Sequence, residues 1–228
     1  MSEKSEQKIA DRVNNRSHRP NSEEFMRFIG SNWADHGDDL PQVHPGAVYA
    51  AARRRQVAEA FAGKLVIIEA GPLKTRSNDS DYRYHPHAAF SHLTAWGSAT
   101  VPDSVLVIDA RDRAGVSTLF FRETAGRESE EFFANPTIGE FWVGARPTLA
   151  QVSALLHLST KNLPELDEFL SENSGADIVR ISEESGSDEK LLEFASEIRF
   201  VKDEWEIAEM RKAVAASVSG FEQVARTM

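Results

Sequence analysis

The chain has 228 residues and is acidic, with 26 Lys and Arg against 36 Asp and Glu, a net charge of −10 and no cysteine. That balance argues against a polyanionic partner, since nucleic-acid binding draws on clustered cations, and the missing thiols exclude disulfides, thiolate nucleophiles and Cys-based metal sites. An apolar content of 41% can fill a sizeable core, and Met1–Pro20 is polar, with no secretory apolar stretch and no bilayer-spanning run, so the expectation is a cytoplasmic globular protein with neither nucleic acid nor membrane as partner.

Residues 1–21 lack periodicity and read as a flexible leader. Ser22 ahead of Glu23, Glu24 and Phe25 is an N-cap with acidic first-turn residues, and Phe25, Phe28 and Ile29 are expected on one helix face. Pro45 opens a second helix over Ala47–Phe61, closed at Gly63 by a left-handed turn. Leu65–Ile68 is a short apolar run bounded by Gly63, Gly71 and Pro72, the pattern of a buried strand. Phe90–Trp96 alternates loosely and is read as another strand. Val105–Ile108 and Ser117–Phe121, on either side of the Arg113–Gly115 turn, form a hairpin.

Thr148 caps a helix that turns Leu149, Val152, Leu155 and Leu156 inward, and Leu163–Leu170 forms the next. Ile178–Ile181 and Ile198–Val201 are strand candidates, with a surface loop over Ser182–Lys190. Asp203 with Glu206 makes a capping box, after which Ile207, Met210, Val214, Val218 and Phe221 recur at helical spacing. The long helix has no stop signal before Met228, and its apolar stripe calls for a partner outside the residues present; the expectation is a chain cut within a longer protein. Helices alternating with strands make the fold class α/β.

Three stretches, in order, resemble the Xaa-Pro aminopeptidase (aminopeptidase P) branch of the creatinase-like metallopeptidases. Val66–Gly97 is similar to the family's strand, its Arg-x-x-Asp-x-x-Tyr loop and its "F-x-YLTG" strand, with Arg76, Asp79, Tyr82 and Phe90 in those places. His92 stands where an aromatic is usual, and Ala95 and Trp96 depart from the threonine-glycine ending. Phe141–Arg146 resembles a "W-x-G-x-R" element, with Trp142, Gly144 and Arg146. Ile198–Met210 resembles the "LR-x-IK-x-x-x-EI-x-x-M-R" junction to a catalytic domain.

The resemblance implies an α/β fold with a mixed β-sheet flanked by helices, a non-catalytic amino-terminal domain over 22–200, followed by the start of a long linker helix over 201–228 that opens a metal-dependent catalytic domain. Two divalent metals, manganese in the family, are implied there, bound by Asp, Asp, His, Glu and Glu that follow the junction; no catalytic or metal-ligating residue and no cofactor is expected in this chain. The implied partners are the chain's own catalytic domain, further copies in a homo-oligomer, and peptides with proline second. The domain would restrict substrate size and close the site. Trp142 is the residue implied to reach toward a neighbouring subunit's active site and pack on a prolyl ring, its alternative being an ordinary packing tryptophan. Arg76, Asp79 and Tyr82 are implied near that substrate face, with Arg76 and Asp79 as a salt-bridged hinge. A catalytically dead peptide-binding module of the same fold, and the same domain of a prolidase, are the alternative functions.

Other patterns carry blander readings. Asp79, Asp81, His85, His87 and His92 are metal-ligand residue types, but no helical ligand spacing joins them, and they read as loop and strand-entry residues. Arg53, Arg54 and Arg55, with Glu59 one turn beyond Arg55, read as a solvated helix face. Trp33 and Trp96 are expected in the core.

Overall fold

The computed structural model describes residues 22–34, 37, 39–78, 80–112 and 115–227. The expected leader 1–21 and Asp79 therefore lie outside the described residues. The elements in chain order are α1 (Glu23–Gly30), α2 (Ala47–Ala60), β1 (Leu65–Glu69), β2 (Thr75–Ser77), β3 (Ser80–Asp81), α3 (Ala88–Thr94), β4 (Val105–Asp109) and β5 (Val116–Phe121). There follow α4 (Glu131–Ala134), α5 (Glu140–Val143), α6 (Leu149–Leu156), β6 (Ser159–Asn162), α7 (Glu165–Glu172), β7 (Ile178–Ile181), α8 (Glu189–Phe200) and α9 (Glu204–Thr227). The chain divides into two compact units, one holding the described residues up to Asp39 together with Glu123–Thr148, the other Leu40–Arg122 and Leu149 onward.

The larger unit is built on a five-stranded sheet of order β6-β5-β4-β1-β7. β1 runs antiparallel to β4, with Val66 opposite Ile108, and parallel to β7, with Val66 opposite Val179. β5 is antiparallel to β4, which makes the expected hairpin, and parallel to β6. The sheet is thus mixed, as the resemblance implied. Alternation along β1 sends Val66 and Ile68 to one face, where Leu106, Ile108, Leu119 and Phe121 meet Val57, Phe90, Leu93, Val152 and Leu191 from α2, α3, α6 and α8. Leu65 and Ile67 face the other way, with Val105, Val107 and Phe120, onto Leu166, Phe169 and Leu170 of α7. Burial on both faces explains why β1 reads as an unbroken apolar run.

Two expected strands are helical. Phe90–Trp96 lies in and just after α3, because His87 Nδ1 caps the Ala89 amide at 3.2 Å and Phe90 and Leu93 recur at helical spacing in the core. Ile198–Val201 holds the end of α8 and its C-cap: Asp188 accepts from the Leu191 amide at 3.0 Å, and Leu191, Phe194, Ala195 and Ile198 continue one face. β6 and the small β2–β3 ribbon carry no apolar alternation and escaped the sequence reading.

The helix starts follow their caps. Ser22 Oγ accepts from the Phe25 amide, and Gly63 takes φ +85° after α2. On α1, however, Phe28 points out while Phe25 and Ile29 are half-buried, since the partners of the helix meet only its i, i+4 side. The capping box of α9 is reciprocal, with the Glu206 amide 2.9 Å from Asp203 Oδ1 and the Asp203 amide 3.0 Å from Glu206 Oε2. Beyond that first turn, Met210, Val214, Val218, Phe221 and Val224 are exposed.

Candidate functional site

Trp142 sits on the short helix α5 of the smaller unit and is 48% exposed. Its indole Nε1 donates to the Phe133 carbonyl at 2.8 Å, and the ring lies 5.4 Å from the Phe133 ring and 5.0 Å from Phe141. One part of the indole is thereby fixed and the rest is exposed. Trp33, expected in the core, is instead 47% exposed, because it packs edge-on against Phe132 and Phe141 from the rim of the same aromatic cluster. Trp96 is buried as expected, against Phe121.

The turn carrying Trp142 is held from inside by charge. The Arg146 guanidinium is buried; Nη1 donates to the Ile138 carbonyl at 2.9 Å, and Nη2 to the Glu123 carbonyl at 3.1 Å and to the Glu131 carboxylate. Glu140, also buried, accepts from the Thr124 hydroxyl and from the Arg146 amide at 3.2 Å. Gly139 is required at the start of α5: a Cβ there would meet the Asn135 and Glu131 carbonyl oxygens at 2.5 Å. The sequence element Trp-x-Gly-x-Arg is therefore a folded turn whose arginine fastens it and whose tryptophan faces out.

Arg76 and Tyr82, the other residues implied at the substrate face, are exposed in and just after the β2–β3 ribbon of the larger unit, and Tyr82 donates its amide to the Lys74 carbonyl at 2.9 Å. Asp79 lies outside the described residues, so the hinge pair with Arg76 remains an expectation. Trp142 belongs to one unit and these two residues to the other.

A third cluster, at the start of α9, was missed in the sequence. Arg53 and Arg54 are buried, with 6% and 5% exposure, contrary to the solvated face expected of them. Arg53 donates to the His92 carbonyl at 2.9 Å and to Asp203, and lies 3.2 Å from Glu206; Arg54 donates to the Leu93 carbonyl at 2.8 Å. Carbonyls at the C-terminal end of α3 and the carboxylates of the capping box thus supply what solvent would have supplied. Burial, and then the neighbouring Arg55, lowers the Arg54 pKa to about 10. Trp205 completes the joint, edge-on to His44 at 5.5 Å and close enough to Gly46 that a Cβ there would come within 3.0 Å of its ring.

Two of the histidines have structural partners. His92 Nε2 lies 3.5 Å from Glu206, and burial, then the charge of Arg53, pushes its pKa down to about 4. His87 spends Nδ1 on capping α3, and burial depresses its pKa as well. Among the described residues no three His, Asp or Glu side chains converge to hold a metal ion. No described helix is long and apolar enough to cross a membrane.

These features define a class, a mixed-sheet α/β domain with a long helix clamped at its first turn. Residues 50–181, from within α2 to the last residue of β7, match the family described as aminopeptidase P, N-terminal domain, and the chain belongs to that family. It is 35% identical over 221 residues to Xaa-Pro aminopeptidase 1 of Streptomyces coelicolor, covering 91% of this chain and 44% of that protein. It is 27% identical over 223 residues to Xaa-Pro aminopeptidase 2 of the same organism, covering 89% and 45%. A glutamate-to-alanine variant of Escherichia coli aminopeptidase P in complex with substrate is similar in fold, with a TM-score of 0.50 at 23% identity over 69% of this chain and 33% of that one. The chain thus spans less than half the length of the curated relatives it matches.

Proposed function

We propose that this chain is the amino-terminal, non-catalytic part of a cytoplasmic Xaa-Pro aminopeptidase that releases the first residue from peptides with proline second. The observation that carries the reading is the match of residues 50–181 to the aminopeptidase P N-terminal domain, which takes in the whole five-stranded sheet and the Trp142 turn. The metals, manganese in this reading, and the catalytic residues belong to a following domain entered through α9. Residues 22–200 form the domain itself and 201–228 the linker.

In this reading the domain limits substrate size and closes the site, and Trp142 meets a prolyl ring at the active site of a neighbouring copy in a homo-oligomer. A half-exposed indole already fixed through Nε1 offers a flat apolar face at little entropic cost, which suits a rigid prolyl ring. Arg76, Asp79 and Tyr82 are the further substrate-binding residues of this reading.

The test is to express the whole reading frame and assay it with Xaa-Pro peptides and manganese, beside residues 1–228 alone. Turnover by the whole protein only is expected, with Trp142→Ala raising KM more than it lowers kcat. Turnover by residues 1–228 alone would overturn the non-catalytic assignment. No turnover of any peptide by the whole protein would favour the catalytically dead module, and cleavage of dipeptides only would favour a prolidase.

A further inference from the structure

The family match begins at residue 50, yet part of the packing around Trp142 comes from residues well ahead of it. Phe25 on α1 sets its ring edge-to-face on Phe133 at 5.2 Å and 68°. Phe133 is the residue whose carbonyl takes the Trp142 indole N–H and whose ring lies tilted beside the indole. Trp33, fixed by its own Nε1 donating to the Ile29 carbonyl at 2.7 Å, supports Phe141 and Phe132 edge-on at 6.0 and 5.7 Å. Gly30 lies close to the Arg127 carbonyl, where a Cβ would come to 2.6 Å, so glycine is what lets α1 approach this surface. All these residues belong to the smaller unit.

We infer that Phe25 and Trp33 are positioning residues for Trp142, bracing Phe133 and Phe141 so that the indole is presented with Nε1 bonded and its remaining surface open. This rests on the reading that Trp142 is the peptide-facing residue, and it adds that the presentation depends on a segment outside the family-matching region. Two phenyl rings and one carbonyl connect Phe25 to the indole. Removing the outer ring takes away a packing contact that holds the short helix carrying Phe133, so that its backbone can shift and the carbonyl bond to Trp142 weakens with it. Phe28, one turn along α1 but 71% exposed, has no part in the chain of contacts.

The measurement is indole N–H exchange in the full 228-residue chain, whose four tryptophans give separately assignable signals once each is replaced in turn by phenylalanine. Phe25→Ala is expected to speed exchange of the Trp142 indole N–H by about tenfold or more, leaving Trp96 and Trp205 unchanged, because local opening sets the rate. Phe25→Tyr should restore the slow rate, and Phe28→Ala should leave it unaltered. If Phe25→Ala unfolds the smaller unit, Phe25→Leu keeps apolar volume without the ring and is expected to speed Trp142 while sparing Trp33.

Unaltered Trp142 exchange in Phe25→Ala, or in Phe25→Leu where the alanine variant unfolds, overturns the inference. Faster exchange in a protein whose Trp142→Ala variant turns over Xaa-Pro peptides normally would keep the brace and remove the peptide role, so the two readings fail separately.

Discussion

Arg53 and Arg146 are both buried guanidiniums that donate to backbone carbonyls and carboxylates, but they differ in how far along the chain they reach. Arg146 closes a turn on itself, its partners Ile138, Glu131 and Glu123 standing 8, 15 and 23 residues away. Arg53 joins three helices, with the His92 carbonyl 39 residues away and Asp203 150 away. The difference decides what a sequence can disclose. A contiguous element such as Trp142–Arg146 keeps donor and acceptors within one window, whereas the Arg53 joint exists only once α2, α3 and α9 have been brought together. It also assigns the two residues different tasks: one holds a surface turn in shape, the other fixes the direction in which α9 leaves the sheet domain.

The sharpest test of that division replaces each arginine by leucine. Arg53→Leu strands Asp203 and Glu206 beside an apolar surface and is expected to cost about 3–5 kcal/mol in urea denaturation, with faster amide exchange at the start of α9. Arg146→Leu is expected to open the Glu123–Thr148 unit and free the Trp142 indole while the β1 and β4 amides stay protected. If Arg53→Leu leaves exchange at Asp203–Ile207 unchanged, the joint is not what orders α9.

Leu106→Ala gives an apolar reference between the two networks. Leu106 is fully buried on β4, and the truncation is expected to cost about 2–4 kcal/mol without disturbing either arginine; a loss near zero would show that the sheet is not the stabilising core. This part of the fold was legible because its signals are local: apolar runs for β1, β4, β5 and β7, a capping box for α9, and an Ala-rich helix ended by glycine for α2. The failures share one cause. Phe90–Trp96 and Ile198–Val201 are apolar stretches too short for their period to be read without knowing that His87 and Asp188 cap helices ahead of them. Arg53 and Arg54 were read as solvated because their acceptors lie in α3 and α9. At the candidate site, Trp142 and Arg146 were visible as a motif, whereas the contributions of Phe25 and Trp33 depend on tertiary contact and left no mark in the sequence.

The Arg53 joint should also respond to pH. His92 beside it has its pKa depressed to about 4 from an ordinary 6.5. As pH falls, the unfolded chain therefore takes up the proton first, and stability is lost from about pH 6.5 down to about pH 4, below which this contribution is flat. His87, also depressed, acts in the same direction, while the carboxyl of Asp103, raised by burial, acts in the opposite one at the acid end. His92→Gln removes a loss on the order of 2–3 kcal/mol, so its urea midpoint should fall less than the parent's between pH 7 and pH 4.5. Parallel pH profiles for parent and variant would mean that His92 is free to protonate in the folded protein.

The smallest effect expected is a gain. Ala95 ends α3 in a left-handed conformation, φ 60° and ψ 15°, with its amide donating to the Ser91 carbonyl. A Cβ in that region costs about 1–2 kcal/mol, and glycine gives back about 0.4–1 through the greater freedom of its unfolded chain. Ala95→Gly should therefore stabilise the protein by about 0.5–1 kcal/mol. The alanine is tolerated because Arg53 and Arg54 grip the His92 and Leu93 carbonyls in the turn just before it, so the end of α3 is held whatever residue follows. If that is right, the gain should grow in an Arg53→Leu background, where the cap must hold the helix end with less help, and a double-mutant cycle reads the coupling directly. Equal gains in both backgrounds would separate the cap from the joint, and confine the role of Arg53 to the carboxylates of α9.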